Sequence, residues 1–175
     1  MSLKTQDLFN VSNKVVVVTG GSRGIGEMIT SGFLANKSKV YITARKEEAL
    51  VKKAEELSQK YSCECIPVSG DISNSEGIDA LVNFLNDAEP EGIDFLINNA
   101  GAAWGANYDD FPESGWDKVM DLNLKTPFFL TQKLTPSLER KGTTEDPSRV
   151  VNIASIDGLH AVSYTHLRAH ETPCH

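Results

Sequence analysis

Short apolar segments alternate with amphipathic segments through most of the chain. Residues 15–18 are four consecutive valines followed by a threonine and two glycines, which is typical of a strand buried on both faces of a parallel sheet. Residues 25–36 then have the spacing of a helix that covers such a sheet. The same alternation predicts strands at residues 39–43, 64–68, 94–97 and 149–153, and helices at 47–61, 75–87 and 114–138. Because parallel strands need crossover connections, we expect a doubly wound α/β fold in three layers, α/β/α.

The helix predicted at residues 114–138 contains a proline. Pro127 has no amide hydrogen and crowds the preceding turn, so it is expected to bend the helix or to restart it. Residues 141–148 are rich in Gly, Thr and Pro and are predicted to form a flexible loop.

Composition and charge narrow the function classes. The 175 residues are 40% hydrophobic and carry a net charge of -7, which fits one ordinary domain and opposes binding to nucleic acid or to an anionic membrane. No apolar run approaches the roughly 20 residues of a membrane span, and residues 1–7 lack a signal-peptide core, so we expect a cytoplasmic protein. Cys63, Cys65 and Cys174 are too few and too unevenly spaced for a disulfide framework, which predicts reduced thiols.

A glycine-rich segment lies between the first predicted strand and the first predicted helix. Its glycines have distinct expected roles: Gly20 permits a sharp turn, Gly24 lets backbone approach a pyrophosphate, and Gly26 allows the helix to pack closely on the strand. The helix N-terminus would add free N–H donors for the phosphates. The predicted cofactor contacts in this segment are Gly20, Ser22, Arg23, Gly24, Ile25 and Gly26.

The end of the second predicted strand indicates which nicotinamide cofactor binds. NAD enzymes of this fold usually place an acidic residue there to hydrogen-bond the adenosine ribose, but this chain has Ala44. Arg45 and Lys46 follow, and Arg23 lies in the glycine segment. These cations suit a 2′-phosphate, so the sequence predicts NADP(H).

With these residues the chain resembles the short-chain dehydrogenase/reductase family, which has a Rossmann fold. Further motifs agree in order over residues 10–160. They are Asp71-Ile72, which matches the adenine-flanking pair; Asn98-Asn99-Ala100-Gly101, the cofactor-contacting motif; Asn123, the helix asparagine of the proton relay; and Ser155, the catalytic serine. The resemblance therefore implies catalytic roles for Ser155 and Asn123, and cofactor contacts from Asp71, Ile72, Asn98, Ala100 and Gly101.

The resemblance also implies a reaction. In the family, a hydride from the cofactor reduces a carbonyl while the serine hydrogen-bonds its oxygen and a tyrosine, acidified by a lysine, delivers the proton. Residues 101–106 and 112–120 look most like 3-oxoacyl carrier-protein reductases of the rhamnolipid-synthesis type. A small-molecule or acyl-thioester carbonyl substrate follows as the expectation. The family's full-length members imply a homodimer or homotetramer built through the helix at 114–138.

The last residues differ in character from the rest. The family pattern places its tyrosine and lysine near positions 168 and 172, which hold Arg168 and Thr172 here. Residues 162–175 instead resemble one reading frame of a sequencing-library adaptor. We therefore predict one domain at residues 1–161, with about five of the family's seven strands, followed by a non-native tail. On this prediction the chain itself is inactive, and its open sheet edge makes it poorly soluble.

The tail contains two groups that could be misread as functional. Tyr164 stands four residues before Arg168, but only nine after Ser155, so the pair is rejected as a catalytic substitute. His166, His170 and Cys174 have helical spacing for a metal site, but lack the committed ligand set of a zinc centre, and no metal is predicted.

Two alternatives remain open. One is an NAD-linked alcohol dehydrogenase of the same family, which stronger activity with NAD than with NADP would support. The other is a short protein that binds NADP(H) without catalysis, which requires residues 162–175 to be encoded contiguously in the genome.

Overall fold

A single parallel sheet forms the centre of the molecule, whose computed structural model describes residues 9–155. The strands are β1 (Val15–Thr19), β2 (Lys39–Ala44), β3 (Cys65–Ser69), β4 (Phe95–Asn98) and β5 (Arg149–Asn152), in the spatial order β3-β2-β1-β4-β5. All neighbouring pairs are parallel. The chain runs outward from β1 to β3, then returns to place β4 on the other side of β1. The predicted doubly wound α/β sheet is confirmed.

The helices follow the predicted alternation. They are α1 (Gly24–Ala35), α2 (Glu47–Tyr61), α3 (Ser75–Ala88), α4 (Glu113–Met120) and α5 (Thr126–Lys141), with a short 3-10 turn at Tyr108–Asp110. Asn74 caps α3 by accepting a hydrogen bond from the Gly77 amide at 2.8 Å.

Two apolar cores lie on opposite faces of the sheet, as side-chain alternation along a strand requires. Val16 and Val18 of β1 pack toward Leu34 of α1 and the buried leucines of α2. Val15 and Val17 pack toward the other face, against α3 and α5. The leucines that complete this second core are Leu81, Leu85, Leu130, Leu134 and Leu138. The three-layer arrangement is therefore confirmed.

The segment predicted as one helix at 114–138 is helical throughout but changes its hydrogen-bond pattern. A π-helical turn, Asp121–Lys125, joins α4 to α5, and its last bond runs from the Thr126 amide to the Asp121 carbonyl. Pro127 follows directly, in the first turn of α5. A proline is tolerated in the first turn of an α-helix because an N–H at that position has no partner within the helix. The helix continues past Pro136 to Lys141.

Charged groups brace the amino ends of the strands, opposite the predicted site. The buried Asp94 carboxylate accepts hydrogen bonds from the Val15 amide at 2.8 Å and from Lys14 Nζ at 2.9 Å. The Tyr41 hydroxyl donates to Glu89 at 2.5 Å, and Lys39 Nζ lies 2.7 Å from the same oxygen. Burial, together with Glu89, raises the pKa of Tyr41 to about 12. These contacts stabilise the amino-terminal edge of the sheet, whereas the predicted site lies at the carboxyl-terminal edge.

Candidate active site

The carboxyl ends of the parallel strands bring most predicted site residues to one edge of the sheet. The glycine segment follows β1, Arg45 follows β2, Asp71 and Ile72 follow β3, and Ala100 and Gly101 follow β4. In open α/β sheets ligands bind in the crevice at this edge, where the strand order reverses. Here the reversal lies between β1 and β4, next to the glycine segment.

The glycine segment has the conformation that its sequence predicts. Gly20 and Gly24 have φ of 66° and 56°, the left-handed region that favours glycine. A Cβ on Gly26 would lie 2.2 Å from the Gly20 carbonyl oxygen, so only glycine lets α1 pack this closely on the loop. A Cβ on Gly24 would meet no atom within 4 Å, so the backbone there faces open space at the start of α1. The loop therefore offers an accessible helix N-terminus.

Thr19 and Asn99 hold the loop against the end of β4; the motif that contains Asn99 was predicted from the sequence, but the part played by Thr19 was not. Thr19 Oγ1 accepts hydrogen bonds from the amides of Asn99 and Ala100, both at 2.9 Å. In return, Asn99 Nδ2 donates to the Thr19 carbonyl at 2.9 Å and to the Gly20 carbonyl at 3.3 Å. The available signal was the position of both polar residues at the ends of neighbouring strands.

Asn98 faces the interior of the molecule. Its side chain is 1% exposed, and Nδ2 donates to Asn152 Oδ1 at 2.8 Å and lies 3.2 Å from Thr131 Oγ1. The residue thus links β4 to β5 and α5, while its neighbour Asn99 occupies the edge. A direct contact from Asn98 to a cofactor stays a prediction, and this geometry gives the side chain a bracing role.

Asn123 lies in the π-helical turn, and its side chain is fully engaged. It is 6% exposed; Nδ2 donates to the Ala102 carbonyl at 2.8 Å, and Oδ1 accepts from the Ala102 amide at 2.8 Å. This reciprocal pair fixes the segment that follows β4. Pro127 stands four residues further on and has no N–H, so the usual α-helical bond to the Asn123 carbonyl does not form. The relay role of Asn123 stays a prediction.

Asp71 and Ile72 are held in place by contacts from three directions. Asp71 Oδ1 accepts from Ser73 Oγ at 2.8 Å and from the Ser73 amide at 3.1 Å. Burial by itself would raise the pKa of Asp71, but the two bonds from Ser73 and the charge of Arg45 hold that pKa below its usual range. A Cβ on Gly77 would lie 1.8 Å from the Asp71 carbonyl oxygen, so α3 packs directly on this segment.

A cavity of about 170 Å³ borders the Asp71–Ile72 segment. Its lining includes Thr43, Gly70, Ile72 and Phe84, from β2, the segment after β3, and α3. The glycine loop and Arg45 do not line it. The cavity therefore adjoins one end of the predicted cofactor site without containing it.

The predicted cationic residues are exposed at this edge. Arg23 immediately precedes α1, and Arg45 follows β2 and acts electrostatically on Asp71. Ile25, in the first turn of α1, is 62% exposed. Ser22 is partly buried within the loop. Two exposed arginines thus follow neighbouring strands at this edge, Arg23 in the loop after β1 and Arg45 directly after β2.

Ser155 lies at the same edge, just beyond β5. The Ile153 amide donates to the Asn98 carbonyl at 2.9 Å, which extends the β4–β5 pairing to within two residues of the serine. Ser155 is partly buried.

The remaining residues that the sequence analysis discussed lie outside the described residues. They are positions 164, 168 and 172, the histidines at 166 and 170, and Cys174. Within residues 9–155, no group of three His, Cys, Asp or Glu side chains is arranged to hold a metal ion.

Comparison with known proteins decides the family. Residues 14–167 match the sequence profile described as short chain dehydrogenase. The chain belongs to the short-chain dehydrogenase family. The profile extends six residues into the segment predicted to be a foreign tail. Among the helices that the structure describes, none is long and apolar enough to span a bilayer.

Individual members of the short-chain dehydrogenase family are similar over most of this chain. A rhamnolipids biosynthesis 3-oxoacyl-[acyl-carrier-protein] reductase from Pseudomonas aeruginosa is 42% identical over 154 residues, covering 88% of this chain and 59% of the relative. The solved P. aeruginosa RhlG/NADP active-site complex superposes with a TM-score of 0.84 at 40% identity, covering 93% of this chain and 61% of that one.

A second solved relative acts on a different carbonyl compound. L-sorbose reductase from Gluconobacter frateurii, complexed with NADPH and L-sorbose, gives a TM-score of 0.81 at 28% identity and covers 87% of this chain and 56% of that one. The present chain therefore spans about three fifths of the length of the relatives that it matches. The chain shares the oxidoreductase ancestry of these relatives.

Proposed function

We propose that this chain is part of an NADP(H)-dependent reductase that converts a carbonyl, in the first instance a 3-oxoacyl thioester, into a hydroxyl. The observation that carries the proposal is the convergence of the glycine loop with Arg23 and Arg45 at the carboxyl edge of the sheet. The P. aeruginosa and G. frateurii relatives were solved with NADP and NADPH, which supports the same cofactor here.

The edge fits a dinucleotide phosphate. The open backbone at Gly24 and the N-terminus of α1 would receive the pyrophosphate, since unpaired amides and the helix dipole favour an anion there. Arg23 and Arg45 would pair with the 2′-phosphate, and Asp71 would lie at the adenine. The other residues proposed to line the cofactor are Gly20, Ser22, Ile25, Gly26, Ile72, Asn98, Ala100 and Gly101.

The chemistry divides between the cofactor and the chain. When bound, the nicotinamide supplies the hydride. Ser155 would donate a hydrogen bond to the carbonyl oxygen of the substrate, polarising the bond and stabilising the negative charge that develops there. The Asn123 carbonyl would hold a water of the proton relay, which returns a proton to the catalytic acid. The Asn123 side chain would keep that turn in place through its two hydrogen bonds to Ala102. The tyrosine and lysine that the family resemblance implies do not occur at positions 168 and 172.

The substrate class rests on the P. aeruginosa relative, whose name describes a 3-oxoacyl-[acyl-carrier-protein] reductase. Trp104, on the segment after β4, packs against α4 so closely that a Cβ on Gly115 would lie 2.7 Å from its ring, and Lys118 Nζ lies 5.1 Å from the ring centre. We propose that this ring offers an apolar surface to the acyl chain, on the same segment that Asn123 holds through Ala102. A sugar such as L-sorbose would favour more hydroxyl-binding side chains there.

Three large apolar side chains are exposed along the helical segment from α4 to α5. Trp116, Leu124 and Phe128 recur every four or eight residues along α4, the π-helical turn and α5, and they are 51%, 61% and 62% exposed. Apolar side chains in such a stripe favour contact with another protein surface. We propose that this face joins two copies of the full-length enzyme.

The source transcript and a carbonyl-reduction assay test the proposal together. Sequencing through the codons after Leu159 should reveal a frame that continues into Tyr-x-x-x-Lys near positions 168–172, with residues 162–175 replaced. The restored protein should then oxidise NADPH when given a 3-oxoacyl thioester, and Ser155→Ala should lower kcat at least 100-fold, the lower end of what an oxyanion donor contributes. A contiguous genomic sequence for residues 162–175 followed by a stop would refute the catalytic proposal.

A further inference from the structure

One buried hydroxyl lies between two parts of the proposed site that are distant in sequence. Thr126 is 2% exposed, and its Oγ1 lies 2.6 Å from the Ile72 carbonyl and 2.8 Å from the Asp121 carbonyl. Both distances are within hydrogen-bond range for a hydroxyl donor. A single O–H can therefore serve either carbonyl, or divide its proton between them.

The two carbonyls belong to segments with different roles. Ile72 is adjacent to Asp71, so it lies at the proposed adenine end of the cofactor. Asp121 opens the π-helical turn and also accepts the backbone bond from the Thr126 amide. The same turn carries Asn123, whose side chain binds both backbone groups of Ala102. Hydrogen bonds thus connect Ile72 to Ala102 through Thr126 and the π-helical turn.

We propose that Thr126 is a positioning residue that couples the adenine-binding segment to the turn that carries the proton-relay asparagine. This inference rests on the proposed NADP(H) function. The hydroxyl holds the π-helical turn at a fixed position against the Asp71–Ile72 segment. If the hydroxyl is removed, the Ile72 carbonyl must find another donor or become exposed to water.

The hydroxyl can be removed with little change of shape. Thr126→Val keeps the branched side chain but loses the donor, and Thr126→Ser restores the donor with one methyl fewer. Thr135→Val is a matched control in the same helix, because among the described residues the Thr135 hydroxyl bonds within α5, to the Thr131 carbonyl at 2.9 Å. It shows what the loss of a threonine hydroxyl does when no bond to another segment is removed.

Binding of 2′,5′-ADP, which carries the adenine and the 2′-phosphate without nicotinamide, is the first measurement. By calorimetry, Thr126→Val should weaken binding roughly 3- to 10-fold, the net contribution of about one hydrogen bond. Thr126→Ser should return to within about twofold of the original chain, and Thr135→Val should not differ from it. Equal affinities in all four proteins would overturn the coupling.

Amide chemical shifts supply a second measurement that needs no ligand. Thr126→Val should shift the amide resonances of Ser73 and Asn123 together, and Thr126→Ser should restore both. Shifts confined to one of the two segments would overturn the proposal even if binding changed. If the original chain does not bind 2′,5′-ADP, the proposed cofactor fails, and the paired amide shifts alone decide whether Thr126 couples the two segments.

Discussion

Gly26 lies where the first turn of α1 touches the glycine loop, and replacing it by alanine should damage both the fold and cofactor binding. The added Cβ would lie 2.2 Å from the Gly20 carbonyl oxygen and 2.5 Å from Asn99 Nδ2, so loop and helix would have to separate. Overpacking of this kind costs about 1–3 kcal/mol. Alanine gains only about 0.5–1 kcal/mol over glycine in a helix, so the net effect of Gly26→Ala is destabilising.

Gly32→Ala is the matched control, because Gly32 belongs to the same helix and a Cβ there would meet no atom within 4 Å. Helix propensity alone then predicts stabilisation by about 0.5–1 kcal/mol. The net cost of Gly26→Ala is about 0.5–2 kcal/mol. In a chain of this size, 1 kcal/mol changes Tm by roughly 2–4 °C, so the control should melt about 1–4 °C higher and Gly26→Ala about 1–8 °C lower.

Thermal unfolding with and without NADPH measures both effects. Ligand at 100 times its Kd stabilises a protein by about 2.7 kcal/mol, which should raise the Tm of the original chain and of Gly32→Ala but not that of Gly26→Ala. If Gly26→Ala were stabilised like the control, or kept the full NADPH-induced rise, the close packing of helix on loop would not be required and the argument would be wrong.

Three further substitutions or conditions test other parts of the account. Thr19→Val should lower the free energy of unfolding by roughly 1–3 kcal/mol in urea titrations, because it leaves the partly buried amides of Asn99 and Ala100 without their acceptor; Thr19→Ser should recover most of the loss. Arg45→Ala should weaken NADPH binding about 10-fold and NADH binding less than twofold by fluorescence titration, since only NADPH has the 2′-phosphate; equal losses would mean that Arg45 does not contact it. Stability should fall between about pH 10 and pH 12, because the pKa of Tyr41 is raised to about 12 from an ordinary value near 10, so the folded state holds a proton that the unfolded state releases. Tyr41→Phe should reduce the slope of stability against pH in that window, and an unchanged slope would contradict the reasoning.

The sequence predicted the layers because those depend on local patterns, and the same patterns place most of the proposed site residues at one edge of the sheet. Four consecutive valines at 15–18 are typical of a strand buried on both faces, and Gly20 and Gly24 adopt the positive φ that a glycine turn predicts. The predicted strand ends lie within a residue or two of the observed ones. That precision was enough to place the glycine loop and Ser155 at one edge of the sheet.

The sequence could not identify contacts that join distant segments. Asn98 and Asn99 are adjacent and identical in type, and which of them faces the edge depends on where β4 ends against β5. Gly77 looks like an ordinary helix residue until α3 is seen packed on Asp71. The proline at 127 predicted a bend or a restart, and an α-helix does begin again at Thr126; the π-helical turn that joins the two α-helices could not be predicted from the proline alone.

Titration of the chain with NADPH and with NADH, at equal ionic strength, tests the central claim most directly. The account predicts that NADPH binds at least 10-fold more tightly and that the difference shrinks as salt screens the exposed Arg23 and Arg45. Equal affinity for the two cofactors, tighter binding of NADH, or no binding of either would contradict the assignment of this edge of the sheet as an NADP(H) site.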